Sequence, residues 1–321
     1  MMRFWEDQPE LSRELETVRD TILLRAASDN PDVRGALGQL LASSGKMLRP
    51  AFVLLASRFG TPDRDRMIRV AAAVEMLHMA TLVHDDIIDA APLRRGVATL
   101  HALRGQRTAV LVGDWLFASC FSLIADLAGT ENGRELSRLV ARICGSEISQ
   151  SSDQFVLHTS IRRYLRRIAG KTAALFALAF HVGAVESSCD QTLVSCLRRL
   201  GYNLGMGFQI IDDVLDFEEA GTETGKRTGG DLAAGIYTLP TILALRCDDG
   251  VLARALARRP RSRRGLARAA ALVAARGGLA GARALAGRHT ERSRRELCRL
   301  PDVNARRVLE DVTERLLRRT Y

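Results

Sequence analysis

An all-α fold is predicted from three features of the sequence. Only eight Pro and four Tyr occur in 321 residues, while Ala, Leu and Arg, which favour helix, are abundant. Apolar residues recur at helical spacing, as in Leu11, Leu15, Val18, Ile22 and Leu23. No β-hairpin signature and no alternating stretch of useful length is present. By length alone the chain could hold two domains.

Taken in order, residues 10–43 predict two helices broken at Asn30-Pro31. Ser44-Gly45-Lys46-Met47-Leu48-Arg49-Pro50 then places two cations three residues apart around a helix start. Such a pair can address one anion, or the stretch can be ordinary helix punctuation with Pro50 early in the helix. The next helix is predicted from about Asp63 to Ala90, with Glu75, His78, Leu82, Asp85 and Asp89 recurring at spacings of 3, 4, 3 and 4.

That helix ends in Asp85-Asp86-Ile87-Ile88-Asp89. Asp85 and Asp89 share a face, with Asp86 about 100° round. Like charges one turn apart repel unless a cation binds them, and oxygen ligands without His or Cys point to Mg²⁺ rather than Zn²⁺. Alone, the motif is either a solvated helix end or a cation site. A second copy, Asp212-Asp213-Val214-Leu215-Asp216, follows the apolar run Met206–Ile211 and is hard to explain as ordinary surface.

Between and after the two copies lie further candidates. Pro92-Leu93-Arg94-Arg95-Gly96 puts two arginines on a turn beyond the first, in a form suited to phosphate. A helix runs from Val112 to about Leu127, and Gly145–Asp153 closes the next. Gly170-Lys171-Thr172 sets a cation at a small-residue break inside a helical pattern. Asp114, Glu147, Gln150 and Asp153 are not distinguishable by spacing from surface polars. Residues 221–231 and 235–240, rich in Gly with Lys226 and Arg227, are either a loop that closes over phosphate or a plain surface linker. Beyond residue 241 helices are expected to break at Pro260, Gly277-Gly278 and Pro301 and to pack around the core.

The N-terminus is charged at once and lacks a signal pattern, and Thr172–Val185 is too short for a bilayer span. No stable membrane insertion is therefore expected. Six Cys without CxxC spacing read as buried thiols of a reduced cytoplasmic protein. The net charge of +10 is concentrated in Arg254, Arg258, Arg259, Arg261, Arg263, Arg264 and Arg268. No aromatics for base stacking accompany them, so a solvated helix surface is expected rather than a nucleic-acid site, with weak attraction to anionic lipid or a diphosphate substrate as the alternative.

Gly45–Pro50, Asp85–Asp89 with Arg94-Arg95-Gly96, Lys171-Thr172, Gly207–Asp216 and Gly225-Lys226 together resemble the trans-isoprenyl diphosphate synthases, in that family's order, over residues 45–240. The resemblance implies a single domain over 1–321, an all-helical bundle around a deep central cavity, and a homodimer, with a helper subunit needed in some long-chain members. It implies that Asp85, Asp89 and Asp212 ligate Mg²⁺, with Asp86 in the same catalytic group. Arg94, Lys171 and Lys226 would contact an allylic diphosphate. Lys46, Arg49, His78 and Arg95 would hold isopentenyl diphosphate. Thr172 and Gln209 would lie near the reacting carbons, and Gln150 and Asp153 match positions that support the metals. One departure is Ile236, where many members carry Lys after the glycine.

The implied reaction is ionisation, condensation and elimination, which needs no Ser, Cys or conventional base because the released diphosphate can accept the proton. Thr81 lies one turn below Asp85 and Leu77 two, with Ala80 further round; none is aromatic. In this family a bulky aromatic there stops growth, so an open cavity implies an all-trans product of about C30–C40. Geranylgeranyl or farnesyl diphosphate is the alternative. A class I terpene cyclase would replace the second motif and would not need Lys46, Arg49 and Arg95. A non-catalytic partner subunit would have lost Asp or Lys residues that are whole here.

Overall fold

A computed structural model describes residues 4–25, 31–42, 45–94, 96–127, 130–218, 229–260 and 262–317. In chain order these form α1 (Pro9–Arg25), α2 (Pro31–Ala42), α3 (Leu48–Ser57), α4 (Arg64–Ile88), β1 (Leu93–Arg94), β2 (Val97–Ala98), α5 (Leu100–Arg104), α6 (Gln106–Leu127), α7 (Thr130–Ser152) and α8 (Ile161–Ile168). A π-helical turn (Ala169–Ala173) leads into α9 (Ala174–Glu186), followed by α10 (Gln191–Glu218), α11 (Gly230–Ala234), α12 (Leu239–Arg246), α13 (Val251–Ala257), α14 (Arg263–Ala275), α15 (Gly278–Leu297) and α16 (Asn304–Leu317).

The expected all-α fold is found, with small departures. β1 and β2 form an antiparallel hairpin of two residues each, pairing Leu93 with Ala98 and Arg94 with Val97, too short to leave an alternating pattern. The stretch after 241 breaks once more, at Cys247–Gly250. There Asp248 accepts from the backbone N–H groups of Leu252 (3.0 Å) and Ala253 (2.8 Å), and Gly250 adopts φ 89°. Asp249-Gly250 was a readable turn signal. The expectation of buried thiols fails for Cys144, Cys247 and Cys298, which are exposed, while Cys120 and Cys196 are buried. Cys144 lies on the outer face of α7, whereas Cys247 and Cys298 stand at the C-caps of α12 and α15, where the chain leaves the core.

Local chemistry sets the ends of the helices. Asp63 caps α4 by accepting from Arg66 N–H at 3.1 Å, and Ser160 caps α8 by accepting from Arg163 N–H at 3.1 Å; each such cap stabilises a helix by ~1 kcal/mol. Pro9 and Pro31 begin α1 and α2, where the missing N–H costs nothing.

The contacts fall into two compact units, Met1–Ser137 with Leu178–Leu197, and Arg138–Ala177 with Arg198–Tyr321. In the first unit α4 packs on α6, α3 and α1, and Phe52 stacks on Phe180 with ring centroids 4.8 Å apart. In the second, Tyr164, Ile168, Ala173, Ile210, Val214 and Leu239 form a core closed by Ala282 and Ala286 of α15. Small residues there let α15 lie close to α10, so this part of the C-terminal third packs around the core, as expected. Arg254, Arg258, Arg263, Arg264 and Arg268 are exposed, and Arg261 lies outside the described residues.

Among the described residues, three helical stretches are long and apolar enough to cross a membrane by length and composition: Arg64–Ile88, Gln106–Asp126 and Ile161–Glu186. The third is longer than its apolar run because the π turn joins α8 and α9 into one continuous stretch. In the first and third, 72% of the apolar window is buried inside the protein, against 39% in the second.

Candidate active site

In the first unit the last turn of α4 sorts its three carboxylates by rotation. Asp86 is buried, Asp85 is half-buried, and Asp89 is the exposed C-cap residue. The helix ends by two backbone hydrogen bonds, Ala91 N–H to Asp86 O (3.0 Å) and Ala90 N–H to Ile87 O (3.1 Å). That closure forces Ala90 to φ 48°, a left-handed conformation costing roughly 1 kcal/mol in a residue other than Gly. Asp86 accepts from Arg94 Nε at 2.7 Å. The hairpin thus returns one of the two expected arginines onto the motif; Arg95 lies outside the described residues.

Arg49 and His78 also come together, Arg49 Nη1 donating to His78 Nε2 at 2.9 Å. A guanidinium is always a donor, so this bond places the imidazole lone pair on Nε2. Lys46 precedes Met47, which holds φ 50° at the start of α3. Trp5 Nε1 donates to Lys46 O at 2.6 Å, and Lys46 Nζ sits 4.7 Å from the Phe4 ring centroid. Phe4 and Trp5, two adjacent aromatics in a charged N-terminus, thus join the surroundings of Lys46.

Below the motif, Leu77 and Ala80 are fully buried, and Thr81 Oγ1 donates back to His78 O at 2.7 Å. The facing helix is α6. Its Cys120 makes a hydrogen bond with the Leu77 backbone while burial pushes the thiol up to about 12. Phe117 of α6 lies 5.5 Å from His84, ring to ring, and Asp114 lies 3.4 Å from His84 Nε2. An aromatic therefore stands near this level of α4, but on the neighbouring helix, where a reading of α4 alone could not find it.

In the second unit Lys171 and Thr172 ride on the π turn, a geometry frequent at functional sites. Two close approaches hold that turn. A Cβ on Gly170 would stand 1.9 Å from Ser146 Oγ, and one on Gly205 would stand 2.7 Å from Ala173 Cα. Lys171 Nζ pairs with Glu147 Oε1 at 2.8 Å, which identifies Glu147 as more than a surface polar. Thr172 Oγ1 donates to Gln209 Oε1 (2.7 Å), Gln209 Nε2 donates to Asp213 Oδ1 (2.8 Å), and Tyr164 OH donates to Asp213 Oδ2 (2.6 Å). Burial pushes the Asp213 carboxyl up to about 7, against the lowering pull of those two donors.

Asp212 is exposed and Asp216 half-buried. Asp231, at the start of α11, is a member the sequence reading left inside a loop; burial first, and then the negative charges of Asp216 and Asp213, hold its carboxyl well above the usual range. Asp153 instead spends its carboxylate on Arg163, with contacts of 2.7 Å to each oxygen. Lys226 lies outside the described residues.

Among the described residues no three His, Cys, Asp or Glu groups form a closed metal cage. The candidate donors are instead carboxylates that reach solvent, the half-buried Asp85 and exposed Asp89 in the first unit and the exposed Asp212 in the second, where Asp213, Asp216 and Asp231 crowd together. Mg²⁺ suits such a set, since it keeps waters and takes one or two carboxylates plus substrate phosphate.

Residues 30–273 match the family model described as Polyprenyl synthetase. Over 314 residues the chain is 37% identical to heptaprenyl diphosphate synthase component 2 of Geobacillus stearothermophilus, covering 97% of each. Among solved structures, a geranylgeranyl pyrophosphate synthase from Lactobacillus brevis superposes with a TM-score of 0.93 at 33% identity, over 99% of this chain and 100% of that one. A polyprenyl synthase from Caulobacter crescentus, complexed with calcium and isoprenyl diphosphate, gives 0.90 at 34% identity over 100% and 97%.

The packing of the π turn is open to test. Gly205→Ala drives a methyl into Ala173 backbone and is expected to lower the thermal midpoint by several degrees, as overpacking of ~1–3 kcal/mol does. Gly145→Ala, which meets nothing within 4 Å, should leave it unchanged or raise it.

Proposed function

This chain belongs to the polyprenyl synthetase family and is a trans-prenyltransferase, and we propose that it condenses isopentenyl diphosphate with an allylic diphosphate to make an all-trans product of the C30–C50 class. The observation that carries the reading is the strip around the π turn. It sets a cation, Lys171, and a pair of oxygen dipoles, Thr172 and Gln209, on elements that also present the exposed Asp212.

Lys171 and Arg94 would bind the allylic diphosphate and take up the negative charge that grows as its C–O bond breaks. The oxygens of Thr172 and Gln209 would stand by the carbon that becomes cationic. Lys46 and the Arg49–His78 pair would hold isopentenyl diphosphate so that its double bond attacks that carbon. The proton lost from the adduct goes to the released diphosphate. Asp85, Asp89 and Asp212 would hold Mg²⁺, which when bound supplies Lewis-acid neutralisation of diphosphate charge.

A long product fits the absence of an aromatic at Leu77, Ala80 and Thr81 of α4. The shorter alternative, a C20 product, draws on the likeness to a protein named as a geranylgeranyl pyrophosphate synthase. We further propose a homodimer built on α6, which exposes Leu111 (59%), Val110 and Phe121 in a helix otherwise apolar enough to be buried. Relatives named as component 2 keep open a second kind of chain as partner. Six cysteines without CxxC spacing, three of them exposed, suit a reducing compartment, and we assign the chain to the cytoplasm; recovery only with sedimented membranes would oppose that assignment.

With purified chain, Mg²⁺, labelled isopentenyl diphosphate and farnesyl diphosphate, pyrophosphate should appear only when both substrates are present, and products should pass C20; arrest at C20 would select the shorter reading. No activity without an added chain would mean an obligate partner. Thr81→Phe is expected to shorten the product, and an unchanged length would place the growing chain elsewhere. Leu111→Asp should convert the dimer to a monomer in sedimentation velocity; an unaltered dimer would rule α6 out as the interface.

A further inference from the structure

The middle carboxylate of the second acidic motif has both oxygens occupied within the protein. Asp213 is 6% exposed and Tyr164 fully buried. Oδ2 accepts from Tyr164 OH at 2.6 Å and Oδ1 from Gln209 Nε2 at 2.8 Å. Arg167, itself buried, lies over the Tyr164 ring at 5.5 Å and adds positive charge near the pair. These groups come from α8 and α10 and meet inside the core that packs against α12 and α15.

The amide of Gln209 has two orientations, and its neighbours decide between them. Asp213 Oδ1 takes the Nε2 end at 2.8 Å, the orientation that the ionised carboxylate, an acceptor only, requires. Oε1 is thereby turned to Thr172, whose hydroxyl donates to it at 2.7 Å. With its proton committed to Gln209, Thr172 can offer only lone pairs to any other group. Both side chains then present negative dipole ends, the sign that stabilises a developing carbocation.

We propose that Asp213 and Tyr164 are positioning residues that lock the Gln209 amide and the Thr172 hydroxyl with their oxygens available to the cationic carbon, and that Asp213 does not bind metal. The proposal rests on the reading of Thr172 and Gln209 given above. Tyr164 supplies the second donor that a buried carboxylate needs; without it Asp213 is left half-satisfied and Gln209 is less firmly held.

Asp213→Asn places an NH₂ within reach of the amide, so Gln209 can turn over and aim N–H at Thr172 with the wrong dipole. Tyr164→Phe keeps the ring and removes one hydrogen bond. Both should lower kcat, by about 10-fold for Tyr164→Phe and by more for Asp213→Asn, as loss of a hydrogen bond to a charged group implies. KM for both diphosphates and the Mg²⁺ concentration for half-maximal rate should change less than twofold. In a Gln209→Ala background, Tyr164→Phe should cost less than twofold, because the group it positions is gone.

A fivefold or larger rise in the Mg²⁺ requirement of Asp213→Asn would overturn the proposal by making Asp213 a ligand. So would an unchanged kcat in folded Tyr164→Phe, or full additivity with Gln209→Ala. Should Asp213→Asn fail to fold, the Tyr164→Phe cycle decides. If Thr172→Ala and Gln209→Ala themselves retain full kcat, the reading of the site fails instead, and the two failures are distinguishable.

Discussion

Everything at this site depends on how a helix divides clustered carboxylates between protein and solvent. Each acidic motif sits on a helix packed by apolar neighbours, and adjacent residues differ by about 100°. The middle Asp of each motif is therefore turned inward. Asp86 and Asp213 are both 6% exposed, and each is satisfied by donors of its own unit, Arg94 in one case and Tyr164 with Gln209 in the other. A buried carboxylate without such partners would be strongly destabilising. Asp85, Asp89 and Asp212 reach solvent, so each motif combines an inward anchor with carboxylates that the proposed function assigns to Mg²⁺.

That division explains other features of the two units. Arg94 is held by Asp86 on a two-residue hairpin, so the cation has a fixed place without a long element to carry it. Lys171 is likewise held by Glu147 on a π turn that two glycines allow to lie close to its neighbours. In both cases a carboxylate keeps a cation in position, and a diphosphate could draw on that cation when bound. The C-terminal helices pack against the core of the second unit. Their small residues, Ala282 and Ala286, permit the close packing that keeps α10 in place.

Much of this was legible in the sequence, because helix periodicity and charged clusters are local signals. The ends of α4, the break at Pro31 and the grouping of Asp85 with Asp89 followed from spacing alone. Tyr164 and Asp231 were not legible. Their partners lie 49 and 15 residues away, and nothing local marks a tyrosine or a loop aspartate as belonging to a carboxylate cluster. The aromatic Phe117 was missed for the same reason, since it reaches α4 from another helix. Exposure of Cys144, Cys247 and Cys298 follows from place rather than residue type, the first on an outer helix face and the other two at helix C-caps.

The division of the carboxylates is tested most directly by counting Mn²⁺ ions bound in the presence of inorganic pyrophosphate, by electron paramagnetic resonance, across four single variants. Asp85→Asn and Asp212→Asn should each lose bound metal, while Asp86→Asn and Asp213→Asn should keep the full complement. Loss of metal from Asp86→Asn or Asp213→Asn, with Asp85→Asn unaffected, would contradict the account.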